Sequence, residues 1–347
     1  MGGGLVRFRP HVKTIKSLEA ARLFSSVPVP ITVSTLAEAE YFTDGGYTDI
    51  LYAVGIAPPK FDRVARLYRR GVDLTLLVDS REQAEQVCHF ARSESVPATA
   101  FIEIDVDSHR GGLTPQNPEL IAVASVLAAE GALAGVLAHA GESYSLPAHP
   151  DREQAAETER VRAVAAAEAI RAAGIECPNV SIGSTPTAYA YTDLTGITEV
   201  RAGNLALFDL FMAGINVCSI DDIALSVLVT VIGYQKNRGW ILTDGGWMAL
   251  SRDRGTANQQ VDQGYGLVAD KDGNLIEGLY VSAASQEHGI IEARGGAALP
   301  DLPIGTQLRI VPNHACATAG QFDHFWVLDT TLAPDAITDR WQRTRGW

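Results

Sequence analysis

The sequence predicts a two-part chain of α/β + β class, with an N-terminal (β/α)8 barrel over 1–215 and a C-terminal mostly-β domain over 216–347. Three observations predict this. Strand-like and helix-like segments alternate through the first two-thirds, the pattern of a parallel sheet with crossover helices. The strand-like segments there number eight, the count that closes such a barrel. After about residue 215 the helical segments give way to short strands with turn signals.

The barrel strands are read at Val6–Lys13, Ile31–Ser34, Asp49–Val54, Leu74–Asp79, Ala98–Val106, Leu133–His139, Asn179–Gly183 and Thr198–Gly203. Helix starts fall between them. Thr35 with Glu38 and Ser80 with Gln83 have the capping-box spacing, which satisfies the first unpaired N–H groups of a helix. Asp151–Ala173 is alanine-rich and charged on one side, so it reads as one long helix. An open doubly wound sheet is the alternative, and the absence of a GxGxxG turn after the first strand weakens it. The β half is read from Ile223–Gly233, Trp240–Gly245, Tyr265–Ala269, Leu275–Ser282, Gly289–Arg294, Gln307–Pro312 and His324–Leu328, with Asp272-Gly273 as a hairpin turn.

Composition bounds the function. The 347 residues are 46% apolar and 20% charged, an ordinary globular balance. The cysteines Cys88, Cys177, Cys218 and Cys316 form no CxxC pair, which argues against a disulfide framework. A net charge of −13 speaks against nucleic-acid or anionic-membrane partners. The longest apolar stretch, Ile223–Tyr234, is too short to span a bilayer, and the N-terminal segment lacks the apolar region of a signal peptide. A cytoplasmic protein is expected.

In a (β/α)8 barrel, chemistry gathers at the C-terminal ends of the strands. Those ends carry Lys13, Asp105 to Arg110, His139, Gly183-Ser184-Thr185 and Arg201 to Gly203. Each has an ordinary explanation. Lys13 could be a solvated lysine, Arg110 and Arg201 surface ion pairs, His139 a satisfied core histidine, and Ser184 with Thr185 a helix N-cap. Together they match the needs of a phosphorylated aldehyde cofactor. A lysine can form the Schiff base, Gly-Ser-Thr donors can cradle the phosphate, and an arginine can hydrogen-bond a phenolate. A second constellation is Pro312-Asn313-His314-Ala315-Cys316. On a strand, positions i and i+2 share a face, so His314 and Cys316 could grip one zinc-like ion and leave coordination positions open. A buried cysteine beside an incidental histidine is the plain alternative.

The segment Arg9-Pro10-His11-Val12-Lys13-Thr14 resembles the lysine motif of the D-serine dehydratases and D-threonine aldolases, pyridoxal-phosphate enzymes of the alanine racemase fold. The resemblance continues through Thr35 to Glu40, Gly183 to Thr187, Gly245 to Asp253, Gln286 to Gly289 and Pro312 to Cys316, ending at Gly346-Trp347. It implies that Lys13 bears pyridoxal 5'-phosphate and that Arg110 faces its phenolic oxygen. His139 and Arg201 would lie on the ring side, and Ser184, Thr185, Gly203 and Asn204 would form the phosphate cup. Tyr144 falls in an active-site loop, and His314 with Cys316 would bind Zn2+. The resemblance also implies a homodimer. Its members have a strand and helix before the lysine strand, which begins here almost at residue 1, so that cover is expected to be missing. Departures from the pattern stand at Ile15 and Glu142, where histidine is common, and at Leu205, where tyrosine is common.

The expected reaction is zinc-dependent β-elimination from a 3-hydroxy D-amino acid, with D-serine giving pyruvate and ammonia as the leading case. The alternatives are 3-hydroxy-D-aspartate dehydration or aldol cleavage, D-threonine aldol cleavage, and a non-catalytic pyridoxal-phosphate carrier. The His-Ala-Cys at 314–316 favours the dehydratases, because harder metals held by carboxylates suit the aldolases.

Overall fold

The computed structural model describes residues 5–333 and 335–347, which form two compact units, 5–203 with Thr344–Trp347, and Asn204–Arg343. This boundary lies twelve residues before the expected one, the intervening stretch being 204–215.

In the first unit the eight expected strands are all present: β1 (Arg7–Pro10), β2 (Ile31–Val33), β3 (Asp49–Tyr52), β4 (Asp73–Val78), β5 (Thr99–Ile104), β6 (Leu133–Ala138), β7 (Asn179–Ile182) and β8 (Glu199–Ala202). They pair in parallel in the order β1-β8-β7-β6-β5-β4-β3-β2. A single parallel bridge, His11 to Thr32, brings the two ends of the sheet together, with Val12 N–H donating to Thr32 C=O at 2.9 Å. Pro10 explains why this seam is thin, since it has no N–H for a ladder. Inside, Leu51, Leu77, Phe101 and Leu137 from four successive strands make one packed layer.

The crossover helices are α1 (Leu18–Ala21), α2 (Leu36–Asp44), α3 (Phe61–Arg69), α4 (Arg81–Glu94), α5 (Glu119–Ala129), α6 (His149–Ala172) and α7 (Thr185–Ala188). Both expected caps form. Thr35 Oγ1 accepts from Glu38 N–H at 3.1 Å and Ser80 Oγ from Gln83 N–H at 3.3 Å. The reciprocal side chains reach one residue further back, to Ser34 N–H and Asp79 N–H. The long helix α6 buries Ala156, Glu159, Ala163, Ala166, Ala167 and Ile170, a stripe at helical spacing.

The second unit holds β9 (Val227–Gln235), β10 (Trp240–Thr243), β11 (Gly266–Asp270), β12 (Leu275–Ala284), β13 (Gly289–Ala293) and β14 (Gln307–Pro312) in a closed antiparallel barrel. The Asp272-Gly273 turn joins β11 to β12, with Gly273 at φ +95° where a side chain would be strained. A separate hairpin pairs β15 (His324–Leu328) with β16 (Ile337–Gln342). The sequence reading had no counterpart to β16, whose exposed residues give no alternating apolar signal. Three short helices complete the unit: α8 (Leu210–Gly214), α9 (Trp247–Leu250) and α10 (Ala315–Ala319).

Candidate active site

At the mouth of the parallel barrel, Lys13 lies in the turn that follows β1. Its ammonium makes no hydrogen bond or ion pair with the described residues. Its charge is felt by two buried histidines. His139, just past β6, donates from Nδ1 to Gly183 C=O at 2.9 Å. Its pKa is pushed down to about 3, first by burial, then by the cations Lys13, Arg201 and Arg110 against the pull of that carbonyl. His11 is held well below the ordinary imidazole range by burial, Lys13, Arg201 and His139. Its Nδ1 accepts from Lys13 N–H at 3.4 Å. Both rings are therefore neutral at physiological pH, with different tautomers set by their partners. The sequence reading did not single out His11 as a site residue, although it stands inside the lysine motif.

Arg201 is buried on β8. Its Nε donates to Ser181 Oγ at 2.9 Å and its Nη2 to Ala138 C=O. Below it, Glu199 takes Ser181 Oγ–H at 2.7 Å and Arg9 Nε at 2.7 Å. The charge of Arg201 is thus fixed by neighbouring strands, which excludes the surface ion pair as its explanation. Arg110 differs. Its side chain is 58% exposed and pairs with Glu103 Oε1 at 3.1 Å. It sits at the mouth on a loop latched by His109 Nδ1 to Glu142 Oε1 at 2.8 Å and by Glu142 N–H to Asp107 Oδ2 at 2.8 Å.

The expected phosphate cup divides. Ser184 Oγ caps α7 by accepting from Thr187 N–H at 3.2 Å and meets Ser143 Oγ at 2.9 Å, so its hydroxyl is engaged within the protein. Thr185 Oγ1 accepts from Gly203 N–H at 3.4 Å, and Thr185 N–H reaches Tyr144 Oη at 3.5 Å. Contacts this long are weak. Two glycines are required by close approach. A Cβ on Gly183, at φ +142°, would meet Arg201 O at 2.0 Å, and one on Gly203 would meet His11 O at 2.8 Å. Tyr144 lies beside His139, ring centroids 6.1 Å apart. A lysine, two neutral histidines, a buried arginine and backbone donors at two glycine-lined strand ends fit a phosphorylated, ring-bearing aldehyde.

One residue that organises this mouth escaped the sequence reading. Glu159 of α6 is fully buried, and its Oε1 accepts from Ala140 N–H at 3.1 Å and Gly183 N–H at 2.9 Å. Its Oε2 accepts from Tyr191 Oη–H at 2.5 Å. It joins the segments that carry His139 and Ser184. A signal was available, because a glutamate on the apolar stripe of an amphipathic helix is out of place unless it is satisfied from within.

In the second unit, His314 and Cys316 are brought together, but not by a strand. The ladder ends at Pro312, His314 is the N-cap of α10, and Cys316 lies in its first turn. The strand argument for their common direction is corrected accordingly. The helix turn, closed by Thr318 N–H to His314 C=O at 3.0 Å, sets their spacing. Their side chains hydrogen-bond each other. Asp253 Oδ2 lies 2.6 Å from His314 Nδ1, which leaves Nε2 for a metal, the arrangement that orients metal-binding imidazoles. No cluster of three metal-ligating side chains occurs among the described residues. Imidazole and thiolate with a carboxylate behind the ring fit a zinc whose remaining positions are open. The segment is clamped on both sides. Asn313 Nδ2 donates to Thr256 Oγ1 at 2.7 Å and to Gly264 C=O at 2.8 Å, and Ala315 N–H donates to buried Asp209 Oδ2 at 2.8 Å.

Residues 3–210 match the family model of the alanine racemase N-terminal domain, and residues 224–328 that of a serine dehydratase domain. A D-threo-3-hydroxyaspartate dehydratase from Delftia sp. (strain HT23) is 49% identical over 99% of this chain and 91% of its own length. The chain belongs to the D-serine dehydratase family of alanine-racemase-fold pyridoxal-phosphate enzymes. It is a lyase of that family. The solved structure of the Delftia dehydratase matches this fold with a TM-score of 0.94, over 99% of this chain and 91% of that one. A metal-free form of a variant of the same enzyme matches with the same score and coverage at 49% identity. A D-serine dehydratase of Schizosaccharomyces pombe is 29% identical over 99% of this chain and 86% of its own length. None of the described helices is long and apolar enough to cross a membrane.

Proposed function

We propose that this lyase eliminates water from a 3-hydroxy D-amino acid, using pyridoxal 5'-phosphate on Lys13 and zinc at His314 and Cys316. D-threo-3-Hydroxyaspartate is placed ahead of D-serine, because the dehydratase named for it shares 49% of its residues with this chain. The products are a 2-oxo acid and ammonia. A cytoplasmic homodimer is part of the same reading. The observation that carries it is a lysine whose ammonium has no partner among the described residues and whose charge acts on two neutral histidines, in a chain that also holds a carboxylate-oriented His–Cys pair.

When bound, pyridoxal phosphate supplies an electron sink for a carbanion at Cα, and zinc supplies a Lewis acid that helps a hydroxyl leave. The chain's residues do the rest. Lys13 would remove the Cα proton, its ammonium making no hydrogen bond or ion pair with the described residues. His139 presents Nε2 as an acceptor, since Gly183 fixes the proton on Nδ1. Arg201, immobilised by Ser181 and Ala138, supports the ring side. Thr185, Gly203 and Asn204 provide phosphate donors. Tyr144 orients that end, and Ser184 acts by shaping α7. Arg110, paired with Glu103 here, would be the cation for the phenolic oxygen. Asp253 fixes the tautomer of His314, and Cys316 binds as the thiolate.

The test is a product assay with D-threo-3-hydroxyaspartate, D-serine and D-threonine. Keto acid and ammonia in equal amounts are expected, fastest from the first. Glycine with an aldehyde would assign an aldolase instead, and no turnover of any of them would leave a cofactor carrier.

A further inference from the structure

Asp209 is fully buried, and its two carboxylate oxygens do different work. Oδ1 caps α8 by accepting from Met212 N–H at 2.9 Å. Oδ2 accepts two unrelated donors, Ala315 N–H at 2.8 Å and Asn204 Nδ2–H at 2.9 Å. Ala315 stands between the two proposed zinc ligands. Asn204 follows Gly203 directly and is itself a proposed phosphate donor. Burial raises the pKa of Asp209, and the N–H donors oppose that rise. Losing any one of them would leave a desolvated acceptor under-satisfied, a cost larger than that of an ordinary surface contact. A shift of the metal segment that strains the Ala315 bond is therefore resisted through the same oxygen that holds Asn204.

We propose that Asp209 is a positioning residue that couples zinc binding to pyridoxal-phosphate binding, with Oδ2 as the shared acceptor. This inference rests on the functional reading above, because it takes His314, Cys316 and Asn204 as binding residues. An N-cap needs one oxygen only. The second oxygen, with a donor from each site, is what a cap alone does not explain. Coupling of this kind is reciprocal, so zinc must tighten the cofactor by the same factor as the cofactor tightens zinc.

The experiment measures pyridoxal-phosphate affinity with and without zinc, and zinc affinity with and without pyridoxal phosphate, on the full chain. In the unaltered protein both ratios are expected to agree, at about fivefold or more. Asp209→Ser keeps a good capping oxygen and removes the second one, so both ligands should still bind while the ratio falls to about one. Asp253→Asn is the control. It should weaken zinc by about tenfold or more and leave the ratio as it was. If Asp209→Ser does not fold, Asn204→Ala removes the other end of the link, and the same loss of the ratio is expected. A ratio of one in the unaltered protein, or a ratio unchanged in the variant that folds, overturns the inference. Zinc binding that survives His314→Ala overturns the functional reading instead, and the inference with it.

Discussion

His139 and His314 show how far two regions of one chain can drive the same side chain apart. At the barrel mouth burial lowers the His139 pKa to about 3, and Lys13, Arg201 and Arg110 act in the same direction. In the second unit burial also works to lower His314, yet its pKa stands at about 10, because the Asp253 hydrogen bond, then Cys316 and Asp209, overcome it. Desolvation is common to both, so the sign of the neighbouring charge decides. One region is a cationic mouth that keeps its imidazoles neutral and suits an anionic cofactor. The other is an anionic nest that draws a positive charge to the ring and suits a metal ion. The proposed cofactor and metal sites thus carry opposite electrostatics.

The comparison can be broken most severely at Lys13. Lys13→Ala should abolish the borohydride-reducible cofactor linkage and cut turnover by about 10⁴-fold, the upper range for loss of a positioned base. Absorbance after borohydride and gel filtration reads the first effect. A reducible cofactor that persists in the variant would assign the linkage to another lysine.

On the anionic side, Cys316→Ala should remove zinc and slow elimination from D-threo-3-hydroxyaspartate by roughly 10³-fold, the scale of several kcal/mol of Lewis-acid help. Cofactor absorbance should remain. β-Chloro-D-alanine, whose leaving group needs no such help, should lose less than about tenfold. Equal losses on both substrates would make the metal structural and erase the division of labour between the regions.

A smaller effect is expected at Arg110, the most solvent-exposed of the mouth cations. Arg110→Ala should change turnover by about fivefold, in keeping with a half-exposed ion pair, and should shift the pH at which the cofactor's absorbance titrates. Unchanged spectra across pH would return Arg110 to the surface.

The smallest effect is a slope. His139 has a folded pKa below its ordinary value of 6.5, so the unfolded chain takes up this proton first as pH falls. Its contribution is fully present above about pH 6.5 and is lost progressively between 6.5 and about 3. Imidazole NMR should show His139 neutral at pH 5. A ring that titrates near 6.5 would mean that the mouth is open to water.

Much of this was legible in advance. Seven of the eight barrel strands lie within the segments read for them, β4 starts one residue earlier at Asp73, and the caps at Thr35 and Ser80 form with the residues expected. The long helix spans His149–Ala172, two residues earlier at its start than the reading. These are local properties, set by alternation, helical spacing and the chemistry of short polar side chains. Lys13, His139, Arg201 and Gly203 stand at or just past strand ends, as a parallel barrel sends every strand end to one rim.

What sequence determined by itself was therefore which segments become strands and helices, and which polar residues stand at strand ends. What only tertiary structure decided was how those residues are spent. Ser184 and Thr185 are neighbours of like chemistry, yet the Ser184 hydroxyl caps a helix while the Thr185 hydroxyl accepts from Gly203 N–H. His314 and Cys316 looked like a strand pair and converge instead through a helix turn. Glu159, Asp209 and Asp253 act by accepting hydrogen bonds from partners 19 to 32, 3 to 106 and 61 residues away, respectively. A buried carboxylate is defined by the donors that reach it, and for these three most of the donors come from other segments. Spacing along the chain carries no record of such a contact, because only folding brings the donor within 3 Å of the oxygen.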